Sequence, residues 1–369
     1  MKKLFVLSIA ALLLVAFSIP AMAATKTVTF YGNVRMWTAI TKDSKEATAT
    51  GYSDTDTWWG MDTANSRFGA KFKQGDISAN VEIRPNNGSY YRQWWGAWNF
   101  GPGTILIGQT WSPLFLAGAT SNSMDRYGLS GSYGDMWGSL RQPMIELTVP
   151  FSMGKFVLAL VSPNTATNTI DGTTDDPNGS DQDTTLPKIE TSLAFKLAPV
   201  SINLFFGYNK YDDVNSSDTE YDISSYIYGG KVSASFGPFS AAGLLWQGQN
   251  TKNYGLVGDA LAYSGAWYNP TKDEIVDADV KGYFAEVGFK ANQMLTVQVG
   301  YGYTDCERYQ KEEDAQAMYY VRAPIQVAKG FTISPEIGKY DLKDKKNSSG
   351  TKTDKGKETY YGVYWQINF

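Results

Sequence analysis

Five basic side chains, Arg35, Arg67, Lys71, Arg84 and Arg92, lie in the first hundred residues, on stretches rich in alternating apolar and polar side chains. A sixth, Arg141, opens a later stretch of the same kind. Between them, residues 110–138 lose the periodicity and carry two acids, Asp125 and Asp135, and their own base, Arg126. Charges of opposite sign across a narrow, low-dielectric gap create a strong field, which aligns polar solutes and sorts ions. That chemistry is non-covalent. Covalent chemistry is poorly supplied. Histidine is absent, which removes the usual general base and the commonest metal ligand, and a Ser-His-Asp triad cannot be assembled. The single cysteine, Cys306, cannot form an internal disulfide and is read as a chance thiol. No pair of carboxylates stands apart from the many loop acids. These residues point to no catalysis and to no metal or cofactor. For any one base, solvation of a wide cavity or pairing with Glu82 is the alternative reading. The five together, all on the first four strand-like stretches, argue for one basic wall.

The elements that would position these residues are β-strands. In 28–37, Val28, Phe30, Val34 and Met36 share one face, and Tyr31, Asn33, Arg35 and Trp37 share the other. In 66–73, Phe68, Ala70 and Phe72 oppose Arg67, Gly69, Lys71 and Lys73, and in 76–84, Ile77, Ala79, Val81 and Ile83 oppose Ser78, Asn80, Glu82 and Arg84. Alternation over about nine residues is what a tilted membrane strand requires. Further strands fall at 91–100, 104–109, 141–150, 154–162, 188–198, 200–211, 222–236, 239–250, 280–290, 293–305, 316–327, 331–342 and 359–369. With the first three this makes sixteen strands. Their connections alternate between tight turns, such as Gln74-Gly75 and Gly101-Pro102-Gly103, and long polar loops, such as 39–64, 110–138, 163–187, 251–279 and 343–358. Short turns on one side and long loops on the other, with an even strand number, mark an antiparallel transmembrane barrel. Barrels of this size leave an aqueous lumen. A soluble sandwich or propeller is the alternative, but no repeat of about 40 residues is present.

Composition agrees with a membrane wall. Residues 1–23 read as a cleaved secretory signal peptide, with Lys2 and Lys3 before an apolar run and Ala21-Met22-Ala23 at the cleavage site. The mature domain is then 24–369. Mean hydropathy is only −0.31, yet the chain carries 24 Tyr, 18 Phe and 11 Trp. Half of each strand facing an aqueous lumen, with aromatic girdles at the interfaces, reconciles the two. Without Lys2 and Lys3, the 33 basic residues become 31 against 37 acids, a balance of −6, which argues against a nucleic-acid partner. The acidic stretch 171–183 and the basic stretch 343–357 suit either cation-bridged contact with a charged lipid surface or plain solvated loops.

At the C-terminus, Tyr361, Val363, Trp365, Ile367 and Phe369 alternate with Gly362, Tyr364, Gln366 and Asn368. This is an amphipathic closing strand that can pair with the first and remove the sheet edges. With its final Phe369 it resembles the terminal aromatic signal read by the barrel-assembly machinery, with Tyr361 and Trp365 in the same stretch. More broadly, the chain resembles the Gram-negative general porin family. Val28-Thr29-Phe30-Tyr31-Gly32 is similar to that family's first strand, and Asn65-Ser66-Arg67-Phe68-Gly69-Ala70-Lys71 to its second. Arg92-Gln93-Trp94-Trp95-Gly96-Ala97, Phe100-Gly101, Gly103-Thr104-Ile105, Gly108-Gln109 and Pro113 resemble the approach to its constriction loop.

The resemblance implies an all-β fold, a 16-stranded antiparallel transmembrane barrel with an inward-folded third extracellular loop at about 110–138. It implies a homotrimer in the bacterial outer membrane, in contact with its lipid and lipopolysaccharide. It also implies acidic loop residues facing a basic wall: Asp125 and Asp135 across from Arg67 and Arg92, whose motifs match, with Arg35, Arg84 and Arg141 as further candidates. On the strand of Arg141 the family's next basic position corresponds to Ile145, and Asp135-Met136-Trp137-Gly138 departs from the family's loop motif. The function so implied is passive diffusion of small hydrophilic solutes. Trp94, Trp98, Trp111 and Trp137 keep open a substrate-selective channel for anions or sugars, and a non-conducting structural or adhesive barrel is a third reading.

Overall fold

The computed structural model describes residues 26–44, 55–85, 91–118, 129, 133–136, 141–163, 181–184, 186–214, 220–256, 261–269, 271–272, 274–308 and 312–369. The expected signal peptide, Asp125, Arg126 and Trp137 lie outside the described residues.

The wall strands are β1 (Lys26–Asp43), β2 in two pieces (Thr55–Met61 and Arg67–Gln74), β3 (Ile77–Ile83), β4 (Tyr91–Asn99), β5 (Thr104–Trp111), β6 (Arg141–Phe151), β7 (Gly154–Val161) and β8 (Lys188–Leu197). They continue as β9 (Val200–Val214), β10 (Glu220–Phe236), β11 (Phe239–Gln249), β12 (Ala278–Lys290), β13 (Thr296–Arg308), β14 in two pieces (Glu312–Arg322 and Ile325–Ala328), β15 (Phe331–Asp341) and β16 (Lys357–Asn368). Each pairs antiparallel with the next in sequence, and β16 pairs with β1 from Asn33↔Asn368 to Asp43↔Glu358. The result is a closed 16-stranded antiparallel barrel. Closure satisfies every edge, which a strand in lipid requires. Phe369 completes it, its N–H donating to Gly32 O at 3.0 Å while Gly32 N–H donates to Phe369 O at 2.9 Å.

Alternation in sequence becomes alternation in burial. In β12, Val280, Phe284 and Glu286 point inward and are buried, while Tyr283, Val287 and Phe289 point outward and are exposed. At the short-turn end the outward ring is rich in phenylalanine, with Phe239 on Phe289 at 5.1 Å and Phe151 on Phe195 at 5.7 Å. Toward the long loops it is tyrosine, with Tyr283 on Tyr303 at 5.2 Å. Tyrosine suits that interface because its ring is apolar and its hydroxyl reaches water.

Four stretches read as loop are more ordered than expected, the shortest being Asp181–Asp183, which pairs with the end of β9. Thr55–Met61 extends the wall along β1 above a break at 62–66. Asp62 makes the break, accepting from Asn65 N at 3.0 Å and Asn65 Nδ2 at 3.0 Å, as short polar turn residues do. Trp267–Asn269 pairs with Glu274–Val276, and Asp344–Lys346 with Lys352–Asp354. Sequence alternation is too brief in these pieces to distinguish them from loop. Two short helices, α1 (Pro113–Gly118) and α2 (Thr251–Tyr254), begin the long loops after β5 and β11.

Candidate functional site

The inward face of β1–β4 carries the basic cluster. Arg92 Nε lies 2.7 Å from Glu82 Oε1, and Arg67 Nη1 lies 3.7 Å from Glu82 Oε2. Arg92 and Glu82 are buried, while Arg67 keeps 12% of its side chain exposed. Two guanidiniums thus share one carboxylate, and the three side chains together sum to +1. Glu82 also accepts from Tyr31 OH at 3.0 Å, and Gln93 Nε2 approaches it at 3.4 Å. Arg92 can reach this cluster because the register of β3 against β4 shifts between Glu82 and Ile83. A bulge of this kind re-aims a side chain.

The other expected wall residues are placed as follows. Arg35 is buried, with its backbone N–H bonded to Ser66 Oγ at 3.0 Å, close to Tyr364, whose hydroxyl donates to Asp62 Oδ2 at 2.6 Å. Lys71 is exposed on the inward face, its Nζ 5.2 Å above the Tyr31 ring. Arg84 is half-buried just beyond β3. Arg141 stacks on Trp111 at 4.0 Å, and Arg92 approaches the same indole at 5.8 Å. Strand parity corrects three expectations. Trp94, 56% exposed, and Trp98, paired with the exposed Ile77, face outward, so neither lines the lumen. Ile145, 57% exposed, also faces outward; its neighbours Met144 and Glu146 are the inward residues of β6.

The described segments of 110–138 are bonded to the opposite arc of the wall. Ser112 Oγ donates to Glu190 Oε2 of β8, and Leu114 N–H donates to the same oxygen at 3.1 Å. Leu129 N–H donates to Glu336 Oε2 of β15 at 2.9 Å, and Tyr360 OH holds the other oxygen of Glu336 at 2.7 Å. Gly134 N–H donates to Thr304 Oγ1 of β13 at 2.7 Å, and Trp246 Nε1 of β11 donates to Gly134 O at 3.0 Å. Gly302, midway along β13, has no room for a side chain, because Tyr133 O occupies the place of a Cβ. Tyr133 is pushed up to about 12, first by burial and then by the charges of Glu358 and Asp314, so its phenol stays protonated. Asp135 is buried with the loop, its Oδ1 accepting from Met136 N at 2.8 Å.

The wall acids Glu190, Glu286 and Glu336 and the bases Lys188 and Arg322 were not singled out from sequence. Arg322 Nη2 lies 3.3 Å from Glu286 Oε2 and bonds Gln298 Oε1 at 3.0 Å. Alternation in Lys188-Ile189-Glu190-Thr191-Ser192 already places Lys188 and Glu190 on one face, so the signal was present. Among the described residues, no group of His, Cys, Asp and Glu side chains could hold a metal ion.

A closed membrane barrel with a charged lumen and loop segments bonded to its inner wall defines an outer-membrane channel for small solutes. The family model described as Gram-negative porin matches residues 10–345, and the chain belongs to that family. No curated protein matches the chain in sequence. Among solved structures, it is similar to the outer membrane channel DcaP of Acinetobacter baumannii, at 14% identity and TM-score 0.71, covering 94% of this chain and 100% of that one. It is also similar to the trimer form of OmpT of Vibrio cholerae, at 14% identity and TM-score 0.62, covering 94% and 100%. A third is the anion-selective porin of Comamonas acidovorans, at 14% identity and TM-score 0.60, again covering 94% and 100%. At this identity each likeness concerns the fold. Family and fold place the protein in the outer membrane.

Proposed function

We propose that the protein is a passive diffusion pore for small hydrophilic solutes and ions, with no covalent step. The observation that carries this reading is that the basic cluster lies on β1–β4 while the described loop segments are bonded to the other arc, β8–β15. Polar solutes align in the resulting transverse field, whereas apolar ones would have to disrupt ordered water. In this reading residues 110–138 are the constriction loop, Arg67 and Lys71 border the path, and Arg35, Arg84, Arg92 and Arg141 contribute charge from behind it, with Asp125, Arg126 and Asp135 as the loop's charges. The chain is exported, loses its leader after Ala23, is received by the barrel-assembly machinery through Tyr361, Trp365 and Phe369, and assembles as a homotrimer amid lipid and lipopolysaccharide. The trimer form of the Vibrio protein supports that state. Swelling of vesicles containing the purified protein tests the reading. Neutral sugars should enter at rates that fall with size, and exclusion of all of them would refute it.

A preference for anions is the second reading. The +1 balance of Arg67, Arg92 and Glu82 favours it, and the Comamonas porin is named as anion-selective.

A further inference from the structure

The loop between β11 and β12 has a conformation that connecting two strands does not require. Its ends are adjacent, with Asn250 N–H donating to Ala278 O at 2.8 Å, so a short turn would close this hairpin. Instead the chain turns inward at α2, flanked by Asn250 and Gly255, both with left-handed φ. Thr251, Asn253, Tyr254, Ser264 and Ala266 are each no more than 3% exposed. Ser264 Oγ and Ala266 N–H bond within the loop, to Leu261 O and Asn253 Oδ1, and the loop's wall partners are inward-facing residues between β8 and β14. Asn253 Nδ2 donates to Tyr211 OH of β9 at 2.9 Å, Ala262 N–H donates to Asp314 Oδ2 of β14 at 2.8 Å, and Arg308 Nη1 of β13 donates to Gly265 O at 3.2 Å.

Gly207 fixes the depth of the insertion. It sits midway along β9, and the space a Cβ would need there is taken by the Tyr254 hydroxyl and by Leu114 Cδ1, which is 2.6 Å away from that position. The two short helices α1 and α2 therefore lie side by side halfway down the wall. They also end on one carboxylate. Glu190 accepts from Tyr254 OH at 2.9 Å through Oε1, and from Ser112 Oγ and Leu114 N–H through Oε2. Lys188 Nζ, 3.6 Å from Oε1, balances its charge. Burial, then the charge of Glu190, raises the Tyr254 phenol well above its usual value, so it remains a donor. Beneath the two loops the inner wall is apolar: Phe205, Ile227, Leu244, Phe284 and Met318 join one core with Leu114, Met136 and Tyr254. Apolar residues on an inner wall gain nothing from facing water, and here they pack the inserted loops.

We propose that residues 251–256 and 261–269 form a second constriction element, keyed to loop 110–138 through Glu190, so that Glu190 and Tyr254 help set the cross-section open to solutes. The inference rests on the channel reading and deepens it: the β8–β15 side of the lumen is filled, and small polar solutes travel along the β1–β4 side past Arg67 and Lys71.

The test replaces residues 251–277 with a short Gly-Ser turn and compares single-channel conductance and sugar-entry rates with those of the intact protein. The expected result is a conductance step about twofold larger and entry of larger sugars, as rings and constrictions govern passage. Glu190→Ala and Tyr254→Phe are measured alongside, in case the shortened chain assembles poorly. Glu190→Ala should enlarge the step or its open-state noise, Tyr254→Phe should do so less, and Glu190→Gln, which retains an acceptor, should restore most of the original behaviour. An unchanged step and size cut-off in all folded variants would overturn the inference alone. An intact protein that never conducts would overturn the channel reading and the inference with it.

Discussion

Replacing Arg67 with Glu tests whether the cluster on β2–β4 acts on passing ions. Arg67 is the partly exposed member of the group, and its guanidinium lies 3.7 Å from Glu82. Counting Arg67, Arg92 and Glu82, the substitution changes the local charge from +1 to −1. For an ion passing about 6 Å away through water, one unit charge is worth about 0.7 kcal/mol. Screening at about 0.1 M salt leaves roughly 0.4 kcal/mol. Two units then amount to about 0.8 kcal/mol, roughly a fourfold change in the partition of each monovalent ion, in opposite directions for anions and cations. The assay is the reversal potential across a planar bilayer in a salt gradient. Arg67→Glu should move it toward cation preference, and Arg67→Gln should move it about half as far. Higher salt should shrink both shifts. Identical potentials for the three proteins would show that Arg67 does not border the path, and would refute the assignment of the basic wall.

The remaining expectations concern the supports of the site. Glu82→Ala leaves the buried Arg92, whose Nε lies 2.7 Å from Glu82 Oε1, without its carboxylate, at a cost of about 3–5 kcal/mol; urea unfolding in vesicles should show the loss, Glu82→Gln should lose less, and equal midpoints would count against the pair. Val287 is 57% exposed on the outward face of β12, so Val287→Arg should cost about 2–4 kcal/mol in the same assay if the face meets lipid. For Tyr133, raised to about 12, the folded state holds the proton beyond the usual value of about 10. Its contribution to holding the loop is therefore complete below pH 10 and is lost as the pH rises through about 12. The difference in phenolate absorbance between the protein and Tyr133→Phe should stay flat near pH 10, and ionisation at that pH would contradict its burial.

Much of the wall is legible in the sequence, because a period of two is a local property. Val28 to Trp37, Phe68 to Lys73 and Ile77 to Arg84 fall on the faces that alternation assigns them. The tight turns and the closing strand to Phe369 follow from the same reasoning. The basic cluster was legible as a cluster but not as a network. That Arg67 and Arg92 meet on Glu82 depends on a register shift between β3 and β4, which no single strand reveals. The same irregular stretch explains Trp94 and Trp98: adjacent tryptophans look alike until pairing with Val81 and Ile77 turns them outward. The loop anchors were the least visible. Glu190, Glu336 and Thr304 lie 76, 207 and 170 residues from the loop atoms they hold, and contacts so distant in sequence follow only from closing the barrel. The apolar inner arc was hidden for a related reason. Phe205, Leu244 and Phe284 read as ordinary wall residues until the inserted loops give them something to cover.

The most direct test of the central claim is the single-channel current of the purified protein in a planar lipid bilayer. A water-filled pore should give discrete, long-lived openings whose current is linear in voltage and rises with salt concentration. A barrel that inserts yet carries no current would contradict the account.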